Sequence, residues 1–169
     1  MAGKTTDRIR QGIRILQKVE DSILISLLLL MVVVAVFQIF ARNLFDSGIR
    51  FGDELIRVLV LWISLMGAMV ASRNNSHVNI DLISRYLPRQ IQILSTVLVG
   101  IFTSFICAAM AWFSFNFVTM EKLDGVIAFA GIPVWVCQSI IPVSFTVISF
   151  RYLLLSFTTL FDFSKQNSK

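Results

Sequence analysis

Residues 91–118 read IQILSTVLVGIFTSFICAAMAWFSFNFV, 28 positions without a charged side chain. A helix needs about 20 mainly apolar residues to cross the hydrocarbon core of a bilayer. This stretch exceeds that length, which tilt accommodates. Three similar stretches lie around it. Residues 23–42 hold Gln38 as the strongly polar residue before Arg42 closes them. Residues 54–72 open on Glu54 and carry Arg57, and 132–161 carry Arg151. Four such stretches in 169 residues leave too little polar sequence to wrap them as a soluble core. The expected fold is an all-α integral membrane protein with four transmembrane helices in a single membrane domain.

The composition agrees. Apolar residues make up 56% and charged ones 15%, against about 45–50% and about 25% in soluble domains. Mean hydropathy is +0.79. A disordered chain would be polar, and 8 Gly and 2 Cys exclude collagen-like and disulfide-framed chains. The pI of about 9.7 does not argue for nucleic acid, because basic residues flanking membrane spans give the same value. Ile39, Phe40 and Ala41 precede Arg42 without an A-x-A pattern, so the first stretch is expected to be a retained helix rather than a cleaved leader. Lys4, Arg8, Arg10, Arg14, Lys18, Arg73, Arg85, Arg89, Lys165 and Lys169 fall on one side of the four spans; Arg42, Arg50 and Lys122 fall on the other. The positive-inside rule then places both termini in the cytoplasm.

Two further segments read as amphipathic helices at the cytoplasmic surface. In residues 5–21, Ile9, Ile13, Leu16 and Val19 fall on one face, with Arg10, Arg14 and Lys18 opposite. Such a helix lies flat, with its apolar side in the interface and its cations near anionic headgroups. In residues 79–87, Asn79 is a capping residue and Asp81 suits a first turn. Leu82, Ile83, Tyr86 and Leu87 form the apolar face, and Pro88 stops the helix. On the other side, the segment after the third span holds Glu121, Lys122 and Asp124. It then turns apolar through Val126, Ile127 and Phe129, as a piece that dips into the interface.

Little here could carry chemistry. His77 is the single histidine, which excludes a bis-histidine haem. Cys107 and Cys137 lie in separate apolar stretches without a C-x-x-C pattern, and read as packing residues. No G-x-S-x-G or Walker loop is present. No acid stands mid-span, as a proton-coupled carrier would need. No catalytic, cofactor or metal site is expected, and the chain is not expected to be an enzyme. The charges that invite a role are Arg42, Asp46, Arg50, Asp53, Glu54 and Arg57, at the outer rim. Arg57 follows Glu54 by three and Asp53 by four, so the three share a helix face. Unpaired at the bilayer centre an Arg would cost ~2.5–3.5 kcal/mol on the insertion scale. These six are candidates for contact with a partner subunit. Arg151 has no evident carboxylate partner and is expected to snorkel. Ser64, Gly67, Ala68 and Ala71 are small residues at helical spacing, a surface on which another helix can approach closely.

The run Asp53-Glu54-Leu55-Ile56-Arg57, followed by Trp62, Gly67-Ala68, Arg73, His77 and Asp81, resembles the small, Q-type membrane subunit of TRAP (tripartite ATP-independent periplasmic) transporters. Gly131-Ile132-Pro133-Val134-Trp135 and Pro142 continue the match, which covers nearly the whole chain. The resemblance implies a bacterial inner-membrane system in which a periplasmic binding protein captures an organic acid, of the sialic acid or C4-dicarboxylate class. A large membrane subunit then transports it with sodium. The small subunit would scaffold that large subunit and help dock the binding protein. Its partners would be those two proteins and the lipid bilayer, with no nucleic acid, and it would hold no cofactor. A chain ending at Lys169 after a polar tail is expected to be a separate polypeptide. The competing readings are a self-sufficient four-helix transporter working as a homo-oligomer, and a membrane enzyme or redox protein. The missing mid-span acid argues against the first; the single His and isolated Cys residues argue against the second.

Overall fold

The computed structural model describes the backbone of residues 2–45, 52–84 and 89–167. In order these form α1 (Ala2–Phe45), α2 (Gly52–Ser84), α3 (Arg89–Asp124), β1 (Ile127–Phe129), β2 (Ile132–Pro133), α4 (Val134–Gln138) and α5 (Ile140–Asn167). Arg14–Leu44, Gly52–Arg73, Ile93–Asp124 and Val134–Phe161 are long and apolar enough to cross a membrane. The chain falls into two units, Met1–Val70 with Ala128–Gly131, and Ala71–Ile127 with Ile132–Lys169.

In the first unit, α1 is a single helix of 44 residues, about 66 Å long at 1.5 Å per residue. It runs without interruption through Asp21-Ser22, where the sequence suggested that a separate surface helix ends. Between Ile13 and Phe45 there is neither Gly nor Pro, so no residue forces a break in the hydrogen-bond ladder. The second predicted surface helix meets the same fate. Helix α2 continues through Asn79 to Ser84, so Asn79 is interior rather than a cap, and Tyr86 and Leu87 lie outside the described residues. Asp53 and Glu54 occupy the first turn of α2, where the helix dipole favours acids. Gly52 is buried, and a side chain there would land on the amide of Gln38. The polar residue of the first span thus rests on α2 at Gly52, and its amide would have to swing aside for any larger residue there.

In the second unit, α3 and α5 pack along a seam of small residues. Val97, Gly100, Ser104 and Cys107 are buried, and Ala111, Ser114 and Val118 half-buried. Their spacing alternates three and four, the period of a helix pair packed knobs-into-holes. Close approach lets side chains bond across the gap. Ser104 Oγ lies 2.9 Å from the Ser149 carbonyl oxygen and Ser149 Oγ 2.9 Å from that of Ser104, with the two hydroxyls 3.1 Å apart. A side chain on Gly100 would strike the Ser156 hydroxyl. Arg151 is held too: Nη1 lies 3.4 Å from Ser72 Oγ, a contact to a hydroxyl on α2 where the sequence suggested only snorkelling.

The link from α3 to α5 is built by turn chemistry. Helix α3 keeps Glu121, Lys122 and Asp124 in its last turn, rather than releasing them into a loop. Gly125, at φ +63°, takes the left-handed position that closes a helix. Strands β1 and β2 pair as a hairpin around Ala130 (φ +47°) and Gly131 (φ +82°). Positive φ at both loop residues is the tight hairpin turn that suits strand twist. The Val134 N–H then donates to the Val126 carbonyl at 3.0 Å. Helix α4 stops at Gln138 because Pro142 has no N–H for the Gln138 carbonyl and its ring would strike it. The Ser139 hydroxyl satisfies the Val136 carbonyl at 2.7 Å, and α5 begins with Pro142 in its first turn, where proline is tolerated.

Candidate functional site

Helix α2 from Gly52 to Arg73 sorts its side chains sharply. Its exposed residues are Asp53, Glu54, Arg57, Val60, Ser64, Ala68 and Ala71. At 100° per residue they fall within about 120° of arc, one continuous stripe. Residues Gly52, Leu59 and Met66, seven apart, are buried on the opposite side, and Met69 is buried as well. The stripe from Asp53 to Ala71 is about 27 Å long, close to the ~30 Å of a hydrocarbon core. The sequence presented its charged end and its small-residue stretch as two features; the helix puts them on one face.

That face differs from the other exposed faces. Those of α1 and α3 are bulky, with Leu28, Val33, Phe37 and Ile39 on α1 and Phe102, Phe105, Trp112 and Phe113 on α3 all at least 47% exposed. Large side chains of this kind suit lipid chains. Small ones leave a shallow face that lipid packs poorly and another helix backbone can approach. Ser64, Ala68 and Ala71 make such a face, and open space lies beside half-buried Gly67. Among the described residues they stand exposed. Small residues do pack inside this chain at the α3–α5 seam, from Gly100 to Ala111. Their three-four spacing was a legible signal that sequence reading passed over. Val60 also belongs to the α2 stripe and was missed, because its size does not set it apart.

The charged end is open. Arg42, Asp53, Glu54 and Arg57 are all exposed, and Arg57 makes no ion pair with Asp53 or Glu54 among the described residues. The shared helix face therefore does not produce a bridge. Arg57 sits about 6 Å along the helix from Asp53, inside the apolar span that begins at Gly52. Chemically this arrangement can receive a helix along the small residues, and near its charged end can take a carboxylate at Arg57 and a cation at Asp53 and Glu54. Asp46 and Arg50 lie outside the described residues, as do the side chains of Ile9, Ile13, Leu82 and Ile83. Leu16 and Val19 are exposed on α1. Cys107 and Cys137 are buried free thiols, and no cluster of three or more His, Cys, Asp or Glu side chains gathers among the described residues.

A family model described as "Tripartite ATP-independent periplasmic transporters, DctQ component" matches residues 31–162. The ectoine TRAP transporter small permease protein TeaB of Halomonas elongata is 22% identical over 147 residues, covering 86% of this chain and 76% of that one. The sialic acid TRAP transporter small permease protein SiaQ of Vibrio cholerae is 33% identical over 85 residues, 50% of this chain and 49% of that one. The isethionate TRAP transporter permease protein DctMQ of Oleidesulfovibrio alaskensis is 28% identical over 102 residues, 60% of this chain and 16% of that much longer protein. In the last two cases the matched stretch spans half or less of the relative's length.

Proposed function

We propose, from the premise that the chain belongs to the DctQ component family of the tripartite ATP-independent periplasmic transporters, that its work is positional. It is a small permease subunit, a multi-pass membrane protein and not an enzyme. TRAP systems pair such a subunit with a large permease and a periplasmic binding protein. The α2 stripe is the face on which the large permease sits. One observation carries this reading: every exposed side chain of α2 between Gly52 and Arg73 lies on that stripe, and from Ser64 onward all of them are small. Within the bilayer two helices gain mainly from close packing and interhelical hydrogen bonds, and a face of Ser, Gly and Ala supplies the first. The match to 16% of the length of a longer permease, at 28% identity, supports the same adjacency.

The remaining assignments follow from charge and length. Both termini are cytoplasmic in the bacterial inner membrane, so Asp53, Glu54 and Arg42 stand at the periplasmic rim, where with Asp46 and Arg50 they help dock the binding protein. The basic, amphipathic start of α1 continues its span, and draws on anionic headgroups to hold the helix at fixed depth. Sodium-driven transport of an organic acid, of the sialic acid or C4-dicarboxylate class, takes place in the large permease. Relatives are named for sialic acid, ectoine and isethionate, a variety that fits a subunit without the substrate site.

The test is affinity purification of the full chain from its host in mild detergent, with mass spectrometry of what co-elutes. The wild type should bring a large polytopic permease in equal amount. Ser64→Leu with Ala68→Leu should lose it while keeping its own helicity and elution volume. A clean homo-oligomer with the permease expressed, or full retention by the double variant, would refute the assignment.

A further inference from the structure

A groove of about 800 Å³ runs between α3 and α5 on the second unit's surface. Its walls include Trp112, Phe115 and Val118 from α3 and Pro142, Phe150 and Leu153 from α5. Polar groups reach it but offer nothing. Thr146 Oγ donates to the Pro142 carbonyl at 2.7 Å, and Ser149 is engaged with Ser104 across the seam. A hydrocarbon occupant loses nothing by ignoring them.

The dimensions select the occupant. Pro142 and Leu153 are eleven residues apart, so the groove is about 17 Å long. That is close to one leaflet, half of the ~30 Å core. An extended acyl chain is one row of methylenes, which lies lengthwise in an open apolar groove of this length.

The mouth carries a charge. Ala111, Phe115, Val118 and Lys122 follow one another at four, three and four residues on α3, so Lys122 stands one turn above the groove wall. Its Nζ lies 5.3 Å from the centre of the Trp135 ring, within cation–π range. Lys122 is exposed and makes no ion pair among the described residues, so its charge remains available. An indole with an adjacent ammonium is suited to the headgroup level of a bilayer.

We propose that the α3–α5 groove binds one phospholipid of the leaflet at the hairpin end, with an acyl chain along Trp112, Phe115 and Phe150 and its phosphate at Lys122 beside Trp135. On the proposed topology this is the periplasmic leaflet. The site rests on the helices being embedded and not on the assignment of the α2 face. A lipid fixed here fills the outer side of the α3–α5 seam and completes a surface that the protein leaves concave.

The experiment uses the full chain, reconstituted in vesicles of phosphatidylethanolamine and phosphatidylglycerol, re-extracted in mild detergent and washed. Intact-complex mass spectrometry then counts retained phospholipid. The wild type should keep one per chain. Ala108→Trp and, separately, Val143→Trp fill the groove from its exposed lining and should abolish retention at unchanged helicity and elution volume. Lys122→Gln, at the surface, should hold roughly fivefold less, the factor expected for one basic side chain at an anionic surface. No retained lipid in the wild type, or equal retention in the filled variants, would overturn the site. Loss in the filled variants with full retention in Lys122→Gln would overturn the placing of the phosphate. Retained lipid in Ala108→Trp, with the large permease lost when that variant is purified from its host, would overturn the lipid site and give the groove to protein instead.

Discussion

Gly100 is the position at which the α3–α5 seam can be tested most sharply. It is buried, and a methyl group there would run into the Ser156 hydroxyl, with the Tyr152 carbonyl oxygen 3.5 Å and Ser156 Cβ 3.6 Å away. Only the hydroxyl must move for alanine. Rotating it gives up the 3.0 Å bond to the Tyr152 carbonyl, a loss of ~0.5–1.5 kcal/mol. Alanine in place of glycine returns ~0.8–1.0 kcal/mol of helix propensity. Gly100→Ala should therefore leave stability nearly unchanged, and should be clearly stabilising when Ser156→Ala has removed the obstacle. Gly100→Leu is a different case, because the backbone of α5 would have to retreat. Overpacking costs ~1–3 kcal/mol. One turn along, the two Ser104–Ser149 hydrogen bonds would stretch, at about 0.6 kcal/mol each by the average for membrane helices. The sum is about 2–4 kcal/mol. Reversible unfolding from mild-detergent micelles by added SDS, followed by Trp fluorescence and circular dichroism, measures each variant against wild type. A Gly100→Leu chain within about 0.5 kcal/mol of wild type, the usual range for a surface substitution, would show that α3 and α5 do not meet at Gly100.

Other positions give independent checks. Gly131→Val forces a β-branched residue into φ +82°, where L side chains cost roughly 1–2 kcal/mol; hydrogen exchange of the Val134 amide, which donates to Val126, should quicken. Gln138 Oε1 is buried with no hydrogen-bond partner among the described residues, and such an acceptor costs about 1–3 kcal/mol; Gln138→Met should be neutral or stabilising in the same unfolding assay. Ser72→Ala removes one hydroxyl from the 3.4 Å contact with Arg151 and should cost under about 1 kcal/mol. Arg151→Leu should perturb the chain more than Ser72→Ala does, as loss of the cation removes all its contacts; equal effects would limit the role of Arg151 to that one bond.

Much of this was legible from residue order. An uncharged run such as 91–118 has no stable home outside a bilayer, so the spans followed from hydrophobicity and length. Membership of the family was legible in the run from Asp53 to Arg57 and in the later Gly131-Ile132-Pro133. Less visible was the continuity of α1 and α2. The change from charged to apolar residues near Asp21 looks like a boundary and Asn79 looks like a cap, yet a new helix starts at such a residue only where the preceding one has stopped propagating, and no glycine or proline stops it between Ile13 and Phe45 or between Ala68 and Ser84. The hairpin was hidden as well, because Val126 to Val134 is short and uniformly apolar, a pattern that suits a strand, a buried helix end or an interfacial loop alike.

The sequence by itself determined that the chain has four stretches long and apolar enough to span a membrane, which family it belongs to, and which residues of α2 stand out as charged or small. These depend on composition and local spacing, which need no partner in space. Tertiary structure decided the rest. Ser64 and Ala68 resemble Gly100 and Ser104 in type and spacing, yet one pair lies open and the other is locked against α5. Small residues mark where a helix can approach, but which helix approaches is set by how all the helices share their faces. The same holds for Arg151 and Ser72, 79 positions apart, whose meeting is fixed by the fold of the second unit and by nothing in the neighbourhood of either residue.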